Sequence, residues 1–268
     1  MPSGKRAKQR RATVPTPPAA RAQGTRQASP RVLAIAGVVL LAIIAAIVAA
    51  VLLTGGKGKS DTSTLPLQGS LVNALPEAAQ VHAEFKGIRQ AGLFLGKADA
   101  PVHLVEYIDL QCPYCQRFET ISMPTLVQKY VRTGKVEVEA RPLAFIGPDS
   151  IRGRNGMFAA SLQGHAFDFA QLLYDNQETE NTGWLNDAIV SKAATSIPGV
   201  NPRLLVQVST SATMVALGNR VNQEAKIDKV KGTPTILVGK TGTRPKEVTL
   251  KSPTDTASVS AAIEAALS

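Results

Sequence analysis

Cys112 and Cys115 are the only cysteines in the 268-residue chain, and they stand in the run Cys-Pro-Tyr-Cys. Thiols at that spacing can close an internal disulfide and open it again, so the chemistry they point to first is thiol–disulfide exchange. Two other readings of the pair are a purely structural bridge and a copper or zinc half-site completed by another chain. A disulfide loop this short restricts the unfolded chain little, so it makes a poor staple. His82, His103 and His165 are scattered rather than set at ligand spacing, which argues against a closed zinc site. No metal is therefore expected, and no cofactor beyond a redox-active Cys112–Cys115 disulfide.

The roles of the two sulfurs follow from the elements around them. Val102 to Asp109 (VHLVEYID) is a run of β-branched and aromatic residues between Pro101 and Pro113, which predicts a buried strand leading into the cysteines. Pro113 suits the first turn of a helix, and Phe118, Ile121, Leu126, Val127 and Tyr130 continue it as an apolar stripe. Cys112 then sits at a helix N-terminus, where free N–H groups and the helix dipole favour a thiolate, and is the expected nucleophile. Cys115, one turn in and more buried, suits the resolving role.

Two further signals lie away from the cysteines in sequence. Glu106 interrupts the apolar strand six residues before Cys112. Burial there would raise its pKa and let it exchange a proton with Cys115; an edge position or a salt bridge is the other reading. Gly232, Thr233, Pro234 and Thr235 stand directly before the strand-like run Thr235 to Val238. A cis Thr233–Pro234 bond would leave the Thr233 backbone free to pair with an extended substrate beside Cys112; an ordinary trans turn is the alternative. Asp109 reads as a surface or turn carboxylate.

The elements that must position these residues form an α/β pattern. Gly134 ends the first helix, and Val136 to Leu143 alternates as a second strand, completing a βαβ unit with a parallel crossover. From about 150 to 228 strand patterning is absent and several helices are expected. Strand character resumes at Thr235 to Val238 and Glu247 to Leu250, and Thr256 to Leu267 reads as a closing helix. Trp184 is expected in the core, and no internal repeat is visible.

The run VEYIDLQCPYC entering a helix, the long helical insertion and the GTPT run before a strand together resemble the DsbA-like disulfide oxidoreductases of the thioredoxin superfamily over about residues 93–268. The resemblance implies a thioredoxin-like fold with an inserted helical domain. It implies a site made of Cys112, Cys115, Glu106, Thr233 and Pro234, with Pro113 and Tyr114 also facing substrate. Tyr114 stands where the strong oxidants of that family have histidine, which removes a charge that would help hold the thiolate. Thr233 occurs also in isomerase-type relatives. The plain thioredoxin run WCGPC is absent, and the 122-residue separation of Cys112 and Pro234 leaves room for the insertion.

The N-terminal fifth is different in kind. Residues 1–31 carry eight basic side chains and no acid, and read as a disordered cytoplasmic tail; the rest of the chain holds 22 basic against 20 acidic residues. Residues 32–53 are 22 uncharged residues, almost all Ala, Val, Ile and Leu, enough for about 33 Å of helix and so for one transmembrane span. A cleaved signal peptide is the other reading, but its apolar region is usually shorter. The positive tail places the N-terminus inside and the catalytic domain outside a cell membrane. The tail has no aromatic residue for stacking, and no nucleic-acid partner is expected. Residues 54–92 read as an extracytoplasmic spacer, with a short helix from Glu77 to Lys86. The expected activity is disulfide introduction into reduced or misoxidised exported proteins, with a membrane redox partner recycling the pair. Reduction or isomerisation, or a non-catalytic peptide-binding module, are the alternatives.

Overall fold

A computed structural model describes residues 62–268. The basic tail, the apolar span and the first residues of the expected spacer lie outside them. No helix among the described residues is long and apolar enough to cross a membrane.

The βαβ unit forms as the sequence predicts. Strand β3 (Val102–Ile108) runs parallel to β4 (Val136–Pro142), and β5 (Thr235–Lys240) pairs antiparallel on the other side of β3. Two short strands, β1 (Gln90–Ala91) and β2 (Phe94–Leu95), extend the β4 side, and β6 (Lys246–Glu247) extends the β5 side. The order is β1-β2-β4-β3-β5-β6, so β3 is interior. With both faces covered, its residues are nearly all buried, whereas β4 alternates between buried and half-buried. Val248 continues the β5 edge by one backbone bond to Ile236, but strand pairing stops at Glu247, three residues short of the expected Leu250.

Between β3 and β4 runs helix α2, residues 113–131, in four contiguous pieces: α-helical Pro113–Arg117, π-helical Phe118–Ser122, α-helical Met123–Leu126 and π-helical Val127–Val131. Pro124 has no N–H for the carbonyl four residues back and its ring crowds that carbonyl. The turn before it widens accordingly, and the Met123 N–H reaches back to the Phe118 carbonyl. The wider turn shifts the phase of the helix. Phe118, Leu126, Val127 and Tyr130 are buried as the stripe predicts, but Ile121 is turned out to 53% exposure and Glu119 is turned in.

The helical insertion is built from α3 (Pro148–Ser161), α4 (Ala166–Asp175), α5 (Asp187–Thr195), α6 (Pro202–Ser209) and α7 (Ala212–Ile227). Helix α3 is its centre, packed against the other four. Glycines allow the close approach: a Cβ on Gly156 would lie 2.6 Å from the Phe169 ring and one on Gly153 2.7 Å from Leu185. Asn186 and Asn201 cap α5 and α6 through their side-chain oxygens. Trp184 is in the core, and α8 (Thr256–Leu267) closes the chain against β5 and β3.

The expected spacer is less free than its composition suggests. Helix α1 (Ala78–Phe85) packs on α4. Before it, Gly69 and Ser70 donate to the carbonyls of Val200 and Thr195, and the Leu75 N–H donates to the Ser196 hydroxyl. These are main-chain bonds of a segment rich in Gly, Ser and Pro, which leave no periodic trace in side-chain types.

Candidate active site

The C-terminal end of β3 delivers the chain into a tight turn held by one buried carboxylate. Asp109 accepts from the N–H groups of Gln111, Phe145 and Ile146, tying the turn after β3 to the loop after β4. It is a turn carboxylate, but a fully buried one rather than a surface one. The Asp109 carbonyl accepts from the Cys112 N–H at 2.9 Å, and Cys112 itself is extended, with Pro113 starting the helix.

The helical insertion grips the same turn from the other side. The buried Tyr174 hydroxyl donates to the Asp109 carbonyl, and its own carbonyl accepts from Gln116. Gln177 donates to the carbonyls of Leu110 and Cys112 at 2.9 and 3.5 Å. Gln111, buried, pairs with Ser150 and with the backbone of Asn181. None of these four residues carries a sequence signal for the site, because their partners lie 39 to 70 residues away.

Both cysteines are free thiols here. Cys112 is itself nearly covered, at 3% exposure, and is flanked by exposed Pro113 and by Tyr114, which is 59% exposed; Cys115 is wholly buried. The Cys112 sulfur lies 3.3 Å from the Thr233 carbonyl, so a gap of 121 residues in sequence closes to one hydrogen bond. The Thr233–Pro234 peptide is cis, as the GTPT run predicts, and β5 begins directly after it. The structure thus brings Cys112, Cys115, Pro113, Tyr114, Thr233 and Pro234 into one patch.

The two sulfurs differ in acidity, and in the expected sense. The hydrogen bond from Cys115 does most to lower the Cys112 pKa to about 6; burial opposes it, while the Thr233 side chain and the N–H groups of Cys115 and Tyr114 assist. Burial pushes the Cys115 thiol well above its ordinary value, and its bond to Cys112 pushes the same way. Cys112 is the sulfur that ionises near neutral pH.

A family model described as thioredoxin matches residues 89–265, about two thirds of the chain. The chain belongs to the thioredoxin family. Among curated relatives of this family member, the probable disulfide bond formation protein D of Bacillus cereus is 29% identical over 147 residues, covering 54% of this chain and 68% of that one. Disulfide bond formation protein D of Bacillus subtilis is 26% identical over 155 residues, covering 54% of this chain and 66% of that one. Among solved structures, oxidised BdbD from Bacillus subtilis superposes with a TM-score of 0.58 at 22% identity, covering 67% of this chain and 96% of that one. The likeness in fold is of the DsbA-like kind, a thioredoxin sheet with an inserted helical domain.

Glu106 is where the thioredoxin sheet is deepest. Its register partners are Ala140 on β4 and Ile236 on β5, so neither an edge position nor a surface salt bridge describes it. It is 1% exposed, has no cationic partner among the described residues, and burial raises its pKa to about 8. The neighbour it does have is Glu119, which the widened turn of α2 brings inward and which the sequence reading did not select.

Proposed function

We propose that this chain is a membrane-anchored, extracytoplasmic thiol–disulfide oxidoreductase that introduces disulfides into exported proteins. The observation that carries the exchange chemistry is the Cys112 sulfur, favoured as thiolate and set against the Thr233 carbonyl beside cis Pro234.

The reaction runs from the oxidised pair. A substrate thiolate attacks the Cys112 sulfur, the Cys112–Cys115 bond breaks, and Cys115 leaves with the bond's electron pair and takes up a proton. A second substrate thiolate then attacks the substrate sulfur of the mixed disulfide, and Cys112 leaves as thiolate. Two electrons pass from substrate to the pair. A low pKa makes Cys112 a good leaving group and stabilises the reduced protein, which drives the reaction in this direction. Thr233, whose carbonyl faces the Cys112 sulfur, and the exposed Pro113 and Tyr114 form the surface for an extended substrate chain.

Anchoring, orientation and a recycling membrane partner rest on the apolar run 32–53 and the basic residues before it. Reduction or isomerisation is the second reading. It is favoured by Tyr114, which gives the thiolate no charge from between the cysteines. Equilibrating the full-length protein with glutathione separates the two. The oxidase reading expects a reduction potential above about −200 mV and rapid oxidation of a reduced, unfolded protein; a potential near the roughly −270 mV of thioredoxin would favour the reductase.

A further inference from the structure

The segment that brings Thr233 and Pro234 to the Cys112 sulfur, residues 229–234, is held at both ends by one residue of β3. Tyr107 stands five residues before Cys112. It is the last β3 residue paired with β5 and lies opposite Thr235, the first residue after the cis proline. Its side chain reaches the other end of the segment, where the hydroxyl donates to the Asp228 carboxylate at 2.8 Å, directly after α7. The tyrosine is wholly buried, and burial pushes its hydroxyl up, so the group stays protonated and can donate.

Two arginines close around the same carboxylate. Arg141 on β4 donates from Nη1 to the Tyr107 oxygen at 2.7 Å and to Asp228 at 3.0 Å, so the three side chains touch one another. Its Nε and Nη2 are taken up by Glu139, which fixes the guanidinium. From the turn between β5 and β6, Arg244 donates to the other Asp228 oxygen at 3.4 Å and to the Ile227 carbonyl at 3.2 Å. That carbonyl is one of those a helix end leaves without an intrahelical partner.

Directly after Asp228 the backbone turns left-handed at Lys229, with φ 58°. The N–H groups of Lys229 and Val230 return to the carbonyls of Lys226 and Ala225, a helix stop that favours glycine where Lys229 stands. A lysine keeps that conformation where its surroundings over-determine it, and the anchored carboxylate of Asp228 does so here. Past Val230 the segment has little to steer it. A Cβ on Gly232 would meet nothing within 4 Å, and the contact that follows is the Thr233 carbonyl on the Cys112 sulfur. The path of the segment is therefore set by its ends.

We propose that Tyr107 and Asp228 are a positioning pair for thiol–disulfide exchange: by fixing the end of α7 to β3 they keep the Thr233 carbonyl at the Cys112 sulfur and the surface for an extended substrate in line with it. The inference rests on the exchange reaction at Cys112 and adds to it two residues that do not touch the reacting sulfur. Without the Tyr107 hydroxyl, Asp228 loses its hold on β3, Lys229 relaxes and the segment after it shifts. Two consequences follow. The Thr233 side chain, which assists the Cys112 thiolate, moves away from it, so Cys112 ionises at a higher pH. A protein substrate also loses the aligned segment along which it lies, whereas a small dithiol uses no such segment.

Tyr107→Phe keeps the buried ring and removes the hydroxyl alone. Oxidation of a reduced, unfolded protein by the full-length variant should be about tenfold slower than by the parent, while dithiothreitol should open its disulfide within about twofold of the parent's rate. Its Cys112 titration should move up from near pH 6 by about half a unit. Asp228→Ala should repeat this pattern, and the double variant should be no slower than Asp228→Ala, since both changes break one contact. Asp228→Asn should keep most of the parent's behaviour, because its amide oxygen still accepts from Tyr107 and Arg141. Equal slowing toward protein and dithiothreitol, or parental rates and titration in Tyr107→Phe and Asp228→Ala, would overturn the positioning role. If Asp228→Ala does not fold, Tyr107→Phe decides together with Arg244→Ala at its exposed turn, which should give a weaker form of the same pattern. A parent that oxidises no protein would instead remove the exchange reading, and the Cys112 titrations of the variants would still decide the positioning.

Discussion

Replacing Cys112 with serine is expected to abolish exchange with both glutathione and reduced protein, a loss on the order of a thousandfold or more, the scale on which removing an enzyme's nucleophile acts. The hydroxyl cannot form the mixed disulfide, and Cys115, buried and with its thiol held protonated, cannot take over. Replacing Cys115 with serine has the opposite signature. Cys112 keeps its low-pKa sulfur beside exposed Pro113 and Tyr114, and the variant lacks the sulfur that would resolve a bound chain. Once its Cys112 is charged with glutathione from oxidised glutathione, a substrate thiolate displaces the glutathione, and the variant should accumulate a covalent complex with substrate, visible on a non-reducing gel and released by a small thiol. Equal trapping by both single variants would contradict the assignment of roles.

Asp109→Ala is expected to cost the fold more than any change among the residues facing substrate. Three backbone N–H groups, of Gln111, Phe145 and Ile146, would lose a buried ionic acceptor at once. At about 1.5 kcal/mol or more for each bond to a charged group, the loss of unfolding free energy is roughly 4 kcal/mol. Urea unfolding reads it as a lower midpoint at unchanged slope. Asp109→Asn should recover part of the loss, because the amide oxygen still accepts, though without charge. A midpoint unchanged by the alanine would mean that the turn carrying Cys112 is held by Tyr174 and Gln177 without help from this carboxylate.

The sequence is most legible where chemistry and local geometry are written in adjacent residues. The strand VHLVEYI, the proline after Cys112, the GTPT run and the closing helix at Thr256–Leu267 all appear in the structure where their patterns place them. The interior position of Glu106 follows from one acid in an apolar run, and the cis bond from one proline before a strand. What stayed hidden depends on phase and on distance. Ile121 and Glu119 exchange places between outside and inside because one π turn rotates the helix, and a regular helical period has no place for it. Tyr174, Gln177 and Gln111 hold the cysteine turn through contacts across the insertion, which spacing along the chain does not reveal. The binding of residues 69 and 70 to the carbonyls of α5 and the turn after it is main-chain bonding, indifferent to side-chain pattern.

The difference in acidity between the two sulfurs also sets how stability depends on pH. In the reduced protein the Cys112 pKa is depressed to about 6 from the ordinary range near 8.5 to 9. Stabilisation from the folded-state thiolate is therefore fully present above the unfolded value, shrinks as pH falls and is gone below about 6. The oxidised protein has no thiolate at this position and lacks the effect, so the reduced form gains on the oxidised one as pH rises through that window. The most direct measurement is the ultraviolet thiolate titration of the reduced full-length protein, with Cys112→Ser as the blank. One sulfur ionising near pH 6, and absent from the blank, is the expected result. A Cys112 that ionises only near pH 8.5, as a thiol in a free peptide does, would contradict the account at its centre.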